Sequence, residues 1–264
     1  MKSFILTLSL VISVLLIHGQ HPVEEGKKLY RSEMASWYGT DVFGEYLRHR
    51  AYRVGGYFSY EKGNDINCIF FSNDTIPVTL GIITFDSTFS IQNARIDSTQ
   101  RALTDEESAY TLLRKKTKEA LNTDTIFQYY KNTGFNIIPV IDNYGKRVYV
   151  LTGPKTNNVV IFGNDYLVTF DKRNNIKDIQ RLHKNIMMIE TDKEVQEGVS
   201  MHSHTAETGE SITATDVCTL MLYAQSAKWT QHYVLAPKQI SIWDCKKNSV
   251  FVLSRKAWDK INQK

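Results

Sequence analysis

The sequence predicts an α+β protein made of antiparallel sheets with a few packed helices. Three observations carry that expectation. Aromatic residues make up 11% of the 264 positions, and Tyr and Phe pack well on pleated surfaces. Apolar runs such as "INCIFFS" and "NVVIFGNDYLVTF" are short and bounded by Gly, Asn and Asp. Strong helical signals are few and separate, and runs of strands beside isolated helices suit helices packed on sheets.

The chain opens with "MKSFILTLSLVISVLLIHGQHPVEE". Lys2 supplies a positive end, Phe4 to Ile17 an apolar run, and Gly19 and Gln20 a small, polar exit. That run is shorter than the roughly 20 residues needed to span a bilayer. Residues 1–20 therefore read as a cleaved signal peptide, with an uncleaved anchor as the other reading. The expected address is periplasmic or extracellular, with no membrane span after cleavage.

Residues 22 to about 50 form a loose amphipathic helix. Strand-like runs follow in "YRVGGYFSY", "INCIFFS", "IPVTLGIITFD" and "FSIQNARI", read as an antiparallel meander with one polar face. "LTDEESAYTLLRKKTKEALN" is the clearest helix. Thr104 caps it and Glu107, three residues on, completes a capping box. Ala109, Leu112, Leu113 and Ala120 give its expected buried stripe. After Gly134 the chain is β again, with hairpin loops at Asn143-Tyr144-Gly145 and Arg173-Asn174-Asn175. A short strand at "SMHSH", a helix from about Thr213, strands "HYVLAP", "QISIWDC" and "SVFVLS" and a helix around Trp258 complete the chain. A soft division near 122–135 separates an N-terminal module, 21–130, from a C-terminal domain, 131–264.

Several function classes find no support. The net charge of +4 is small and spread along the chain, and no basic stripe interleaved with aromatics would track nucleic acid. There is no P-loop, dinucleotide fingerprint or G-x-S-x-G elbow. Cys68, Cys218 and Cys245 do not make a disulfide framework. Cys218 with Cys245 is the favoured pair if one forms, and three buried thiols are the other reading.

"SMHSHTAETGESITATDVC" concentrates the chemistry. On a strand, side chains alternate, so His202 and His204 share one face. Asp216, at the start of the next helix, supplies a third donor. Two histidines and a carboxylate with a fourth position open make a catalytic zinc set, which activates water near neutral pH. The same residues also read without metal, as a polar strand followed by the capping pair Thr213 and Asp216. His232 and His183 read as an exposed strand-start residue and a hairpin residue, His232 also as a supporting residue or fourth ligand.

This constellation resembles the JAMM (JAB/MPN) metalloproteases. Their motif is an upstream Glu, then His-x-His, seven residues, and Ser-x-x-Asp. Here His202-Ser-His204 is followed by eight residues and Thr213-Ala-Thr-Asp216. The order of helix and strands that follows, over roughly 155–264, is also similar. The resemblance implies zinc at His202, His204 and Asp216, with Thr213 in the place of the oxyanion-stabilising Ser. The loop is one residue longer, and Thr205 stands where Pro is usual. For the general base, Glu190 at the end of the preceding strand is the choice, across a hairpin from the histidines. Glu207 and Glu210 lie in the loop. The implied activity is zinc-dependent hydrolysis of a peptide or isopeptide bond in a peptide or protein substrate. The alternative is a non-catalytic exported binding or structural protein with a degenerate JAMM-like fold.

Overall fold

The computed structural model describes residues 3–191 and 197–262, with side chains from residue 22 onward. The side chains of the expected signal peptide lie outside the described residues. The protein is α+β. In chain order the elements are α1 (Ser3–Tyr46), β1 (Val54–Lys62), β2 (Asp65–Ser72), β3 (Thr79–Phe85), β4 (Arg95–Asp97), α2 (Asp105–Thr123), β5 (Thr133–Asp142), β6 (Gly145–Pro154), β7 (Val159–Gly163), β8 (Tyr166–Phe170), β9 (Ile176–Arg181), β10 (Ile186–Glu190), β11 (Gly198–Ser203), α3 (Ala214–Tyr223), β12 (Trp229–Leu235), β13 (Gln239–Asp244), β14 (Ser249–Ser254) and α4 (Arg255–Asn262). No described helix is long and apolar enough to cross a membrane.

The chain divides into two compact units. One comprises Met1–Tyr30, Asn157–Phe162 and Met187–Lys264; the other comprises Arg31–Thr156 and Gly163–Ile186. The expected division near residue 130 is not where the chain separates. The second unit runs through that point because α2 packs on β1, β5 and β6 together.

In the second unit, β1 to β4 form an antiparallel meander, as their turn-bounded runs predict. Gly63, at φ +65°, makes the tight β1–β2 turn that a side chain would strain. The expected polar face is absent: from Ile66 to Ser72 every residue of β2 but Asn67 is buried. The C-terminal half of α1 covers one face, where a side chain at Gly39 would collide with Cys68. On the other face Tyr110 of α2 stacks on Phe58, with ring centroids 5.3 Å apart. Burial on both faces explains the continuous apolar run of β2.

The capping box of α2 forms as expected. Its buried stripe is Tyr110, Leu113, Thr117 and Leu121, one position round from the alanine-centred face. Thr117 faces inward because its hydroxyl donates to the Leu113 carbonyl, 2.9 Å away. Leu113 and Leu121 of that stripe pack on the antiparallel sheet β5-β6-β8-β9 through Val148, Val150, Tyr166 and Val168, while Tyr110 packs on the β1–β4 sheet.

The first unit contains the pair β10-β7 and the sheet β11-β12-β13-β14. β11 and β12 run parallel, joined through α3, while β12, β13 and β14 are antiparallel. A parallel neighbour needs a crossover, and α3 supplies it. The apolar spacing of α3 predicts a stripe of Val217, Leu220, Met221 and Ala224; Val217, Leu220 and the C-cap Ala224 are buried, and Met221 is half-buried. Val217 and Leu220 join Val23, Phe162, Val234 and Trp243 in one core. A side chain at Gly26 of α1 would lie 2.5 Å from Val217 Cβ and 2.7 Å from the Ala214 carbonyl, so α1 sits directly on the first turn of α3. No disulfide joins Cys68, Cys218 or Cys245.

A candidate metal centre

β11 has the reverse of the usual strand pattern. Val199 and Met201 are exposed, while Ser200, His202 and the following His204 are buried. Turning three polar side chains inward is costly unless each finds partners. They find them in one another and in β12. Ser200 Oγ lies 2.6 Å from His232 Nδ1, His232 Nε2 lies 2.7 Å from His202 Nδ1, and His202 Nε2 lies 2.9 Å from His204 Nε2. The parallel register that pairs Ser200 with His232 makes this chain of contacts.

The third donor arrives on α3. Asp216 is 1% exposed, with Oδ1 3.4 Å from His202 Nε2 and Oδ2 3.3 Å from His204 Nε2. Thr213 holds that carboxylate, donating to Oδ2 from its backbone N–H (2.9 Å) and its hydroxyl (2.8 Å). The hydroxyl in turn accepts from the Asp216 N–H, closing the capping box that starts α3. The cap predicted from sequence therefore also aims the candidate ligand.

The spacing has a direct chemical meaning. Donors about 2.0–2.1 Å from a tetrahedral cation lie about 3.3–3.4 Å from one another. Here the two Nε2 atoms are 2.9 Å apart, and they lie 3.4 Å and 3.3 Å from different oxygens of Asp216, Oδ1 and Oδ2 respectively. Two imidazole nitrogens at 2.9 Å also require a proton or a cation between them, since two lone pairs there would repel. This buried His/Asp group could hold a metal ion.

The surroundings are dry and aromatic. Phe162 lies 4.8 Å, ring to ring, from both His202 and His232, and Trp229 lies 5.9 Å from His232. Burial, reinforced by the neighbouring His202, pushes the His232 pKa down to about 3, so its ring is neutral. A cation on His202 Nε2 would set the proton order of the chain. His202 Nδ1 would donate to His232 Nε2, and His232 Nδ1 to Ser200 Oγ.

His202, His204 and Asp216 thus come together as the sequence suggests. Glu190 does not join them. It is an exposed residue of β10, whose partner is β7, whereas the neighbour of β11 is β12, so the expected hairpin placing Glu190 beside the histidines is not formed. Thr213 is bound to Asp216 as a cap and positioning residue instead of standing over the site. In the loop, Glu210 accepts from the Lys238 backbone N–H at 2.8 Å.

His232 reverses its expected exposure: it is fully buried and braces a candidate ligand. Strand parity carries the signal that could have found it, because His232 shares a face with Val234, which is also 0% exposed. His183, expected as a hairpin residue, is 7% exposed and belongs to the second unit. There its Nδ1 sits 2.8 and 3.0 Å from the two Asp165 oxygens.

Comparison with family models, curated proteins and solved structures returns no match to this chain.

Proposed function

We propose that this chain binds zinc through His202, His204 and Asp216. The observation that carries the reading is the buried convergence of the three side chains: the two Nε2 atoms lie 2.9 Å apart, and each lies within 3.4 Å of an Asp216 carboxylate oxygen. Two imidazoles and one carboxylate suit zinc, whereas calcium and magnesium take mostly oxygen donors. The buried contact from His232 to His202 is the support that metal-binding histidines typically have.

On this site we place a zinc-dependent hydrolase of peptide or isopeptide bonds, in the manner of the JAMM metalloproteases. Support comes from the order of strand, loop, capped helix and parallel strand around the donors. Zinc in such a set polarises a carbonyl and activates water. Hydrolysis also needs a carboxylate to take the water's proton. The buried acid on the segment that packs on α3 is Glu25: it is 4% exposed and adjoins Gly26, which rests on the first turn of α3. An exported address belongs to the same proposal, supported by the leader-like composition of residues 1–20.

A second reading, a non-catalytic exported protein with a zinc-stabilised fold, is favoured by the burial of the donors. His202 and His204 are each 6% exposed and Asp216 1%. One experiment separates the two. Zinc-loaded protein is incubated with a mixed peptide library and with an isopeptide-linked substrate, beside the His202→Ala and Glu25→Gln variants. Cleavage by the parent that is lost in His202→Ala supports the hydrolase, and its loss in zinc-loaded Glu25→Gln assigns the base. Zinc-loaded parent that cleaves neither substrate leaves the structural role.

A further inference from the structure

The second unit contains a cleft of about 720 Å³ between α2, the start of β1, the β2–β3 loop and the start of β5. That volume lies within the roughly 300–1,000 Å³ of small-molecule sites. Its walls are mixed. Phe71, Tyr129, Phe135 and Ile137 supply apolar and aromatic surface. Gly55 and Gly56 leave the β1 side bare, and must do so, since a side chain would lie 2.7 Å from the Ser72 carbonyl or from the Phe71 ring.

The charge around the cleft is one-sided. Arg114, Lys115, Lys118 and Lys155 line it, against Asp74 and Glu119. Asp74 is already neutralised by Arg53, 2.9 Å away. Among the described residues, none of the three lysines is in an ion pair. Arg114 is held in place, its Nη1 donating to the Ile137 carbonyl at 2.6 Å and its guanidinium 4.7 Å from the centre of the Tyr57 ring. Thr111, 8% exposed, also lines the cleft, and its Oγ1 is a buried polar atom with no hydrogen-bond partner. Buried hydroxyls are normally satisfied.

We propose that this cleft binds a small organic anion, with an aromatic or aliphatic body against Phe71, Tyr129 and Phe135 and its acidic group among Lys115, Lys118 and Lys155. Three unpaired cations facing one unpaired acid favour an anionic ligand over a neutral one. The aromatic lining favours an organic body over an inorganic ion. The inference is independent of the metal centre.

Titration with 1-anilinonaphthalene-8-sulfonate tests it, beside N-phenyl-1-naphthylamine, which has the same aromatic body without the anion. The sulfonate should bind saturably at one site and at least tenfold more tightly than the neutral probe. Reversing the two exposed α2 lysines, Lys115→Glu with Lys118→Glu, should weaken it at least tenfold. Lys155→Glu, on a different element, should weaken it severalfold as an independent arm, while Lys62→Glu, outside the cleft, should leave it unchanged. Equal affinity for the two probes, or reversal variants that titrate like the parent, would overturn the proposal.

Discussion

His202 Nδ1 lies 2.7 Å from His232 Nε2, so a histidine of β12 fixes the ring of a histidine of β11. The ring so held turns its other nitrogen, Nε2, toward His204 and Asp216.

The first prediction follows from that contact. His232→Phe keeps a buried ring but removes the acceptor for His202 Nδ1. Loss of such a supporting bond lowers metal affinity about 10–100-fold. Zinc titration against a competing chelator should show this while circular dichroism stays close to the parent's. Unchanged affinity would remove His232 from the site.

Zinc should stabilise the unit that holds the donors. At free zinc a hundred times the Kd, the gain is about 2.7 kcal/mol. Thermal unfolding with zinc and with EDTA should differ by several degrees, and Asp216→Asn should abolish the difference. A shift of equal size in that variant would place the bound zinc elsewhere.

Thr213→Ala removes the cap of α3 and one hydrogen bond to Asp216. Cap loss costs about 1 kcal/mol. Denaturant unfolding should show this loss, with zinc affinity falling as well. Thr213→Ser, which keeps the hydroxyl, should restore both. A stability loss with unchanged zinc affinity would leave Thr213 a cap alone.

Glu33, in the second unit, gives a pH signature. Burial raises its pKa from 4.5 to about 7, opposed by Arg114 and by a hydrogen bond from Asn136, with Tyr57 and Cys68 also around Arg114. The folded state thus favours the protonated acid. Its contribution to stability is full below pH 4.5 and is lost as pH rises through about 7. Glu33→Gln, which cannot ionise, should gain on the parent across that window, by about 3 kcal/mol above pH 7. A stability difference that does not change between pH 4.5 and 8 would contradict the assignment.

Much of this was legible in the sequence for local reasons. His202 and His204 share a face because strand side chains alternate, and Thr213 with Asp216 announces a helix start through three-residue spacing. The rest depended on partners distant in sequence. Glu190 looked close to the histidines along the chain, yet β10 pairs with β7 and β11 with β12. His232 looked exposed because polar residues precede it, and only the parallel register with Ser200 turns it inward. The α2 stripe was misplaced by one position because Tyr110 and Thr117, which carry hydroxyls, are among its buried residues. The domain division was invisible because the second unit is assembled from two stretches of chain separated by β7.

The most direct test of the central claim is metal stoichiometry. Protein purified without chelator is analysed by inductively coupled plasma mass spectrometry, beside His202→Ala and Asp216→Asn prepared identically. The account predicts close to one zinc per parent chain and a small fraction of that in either variant. Equal zinc in all three, or none in a parent that also fails to take up added zinc, would contradict it.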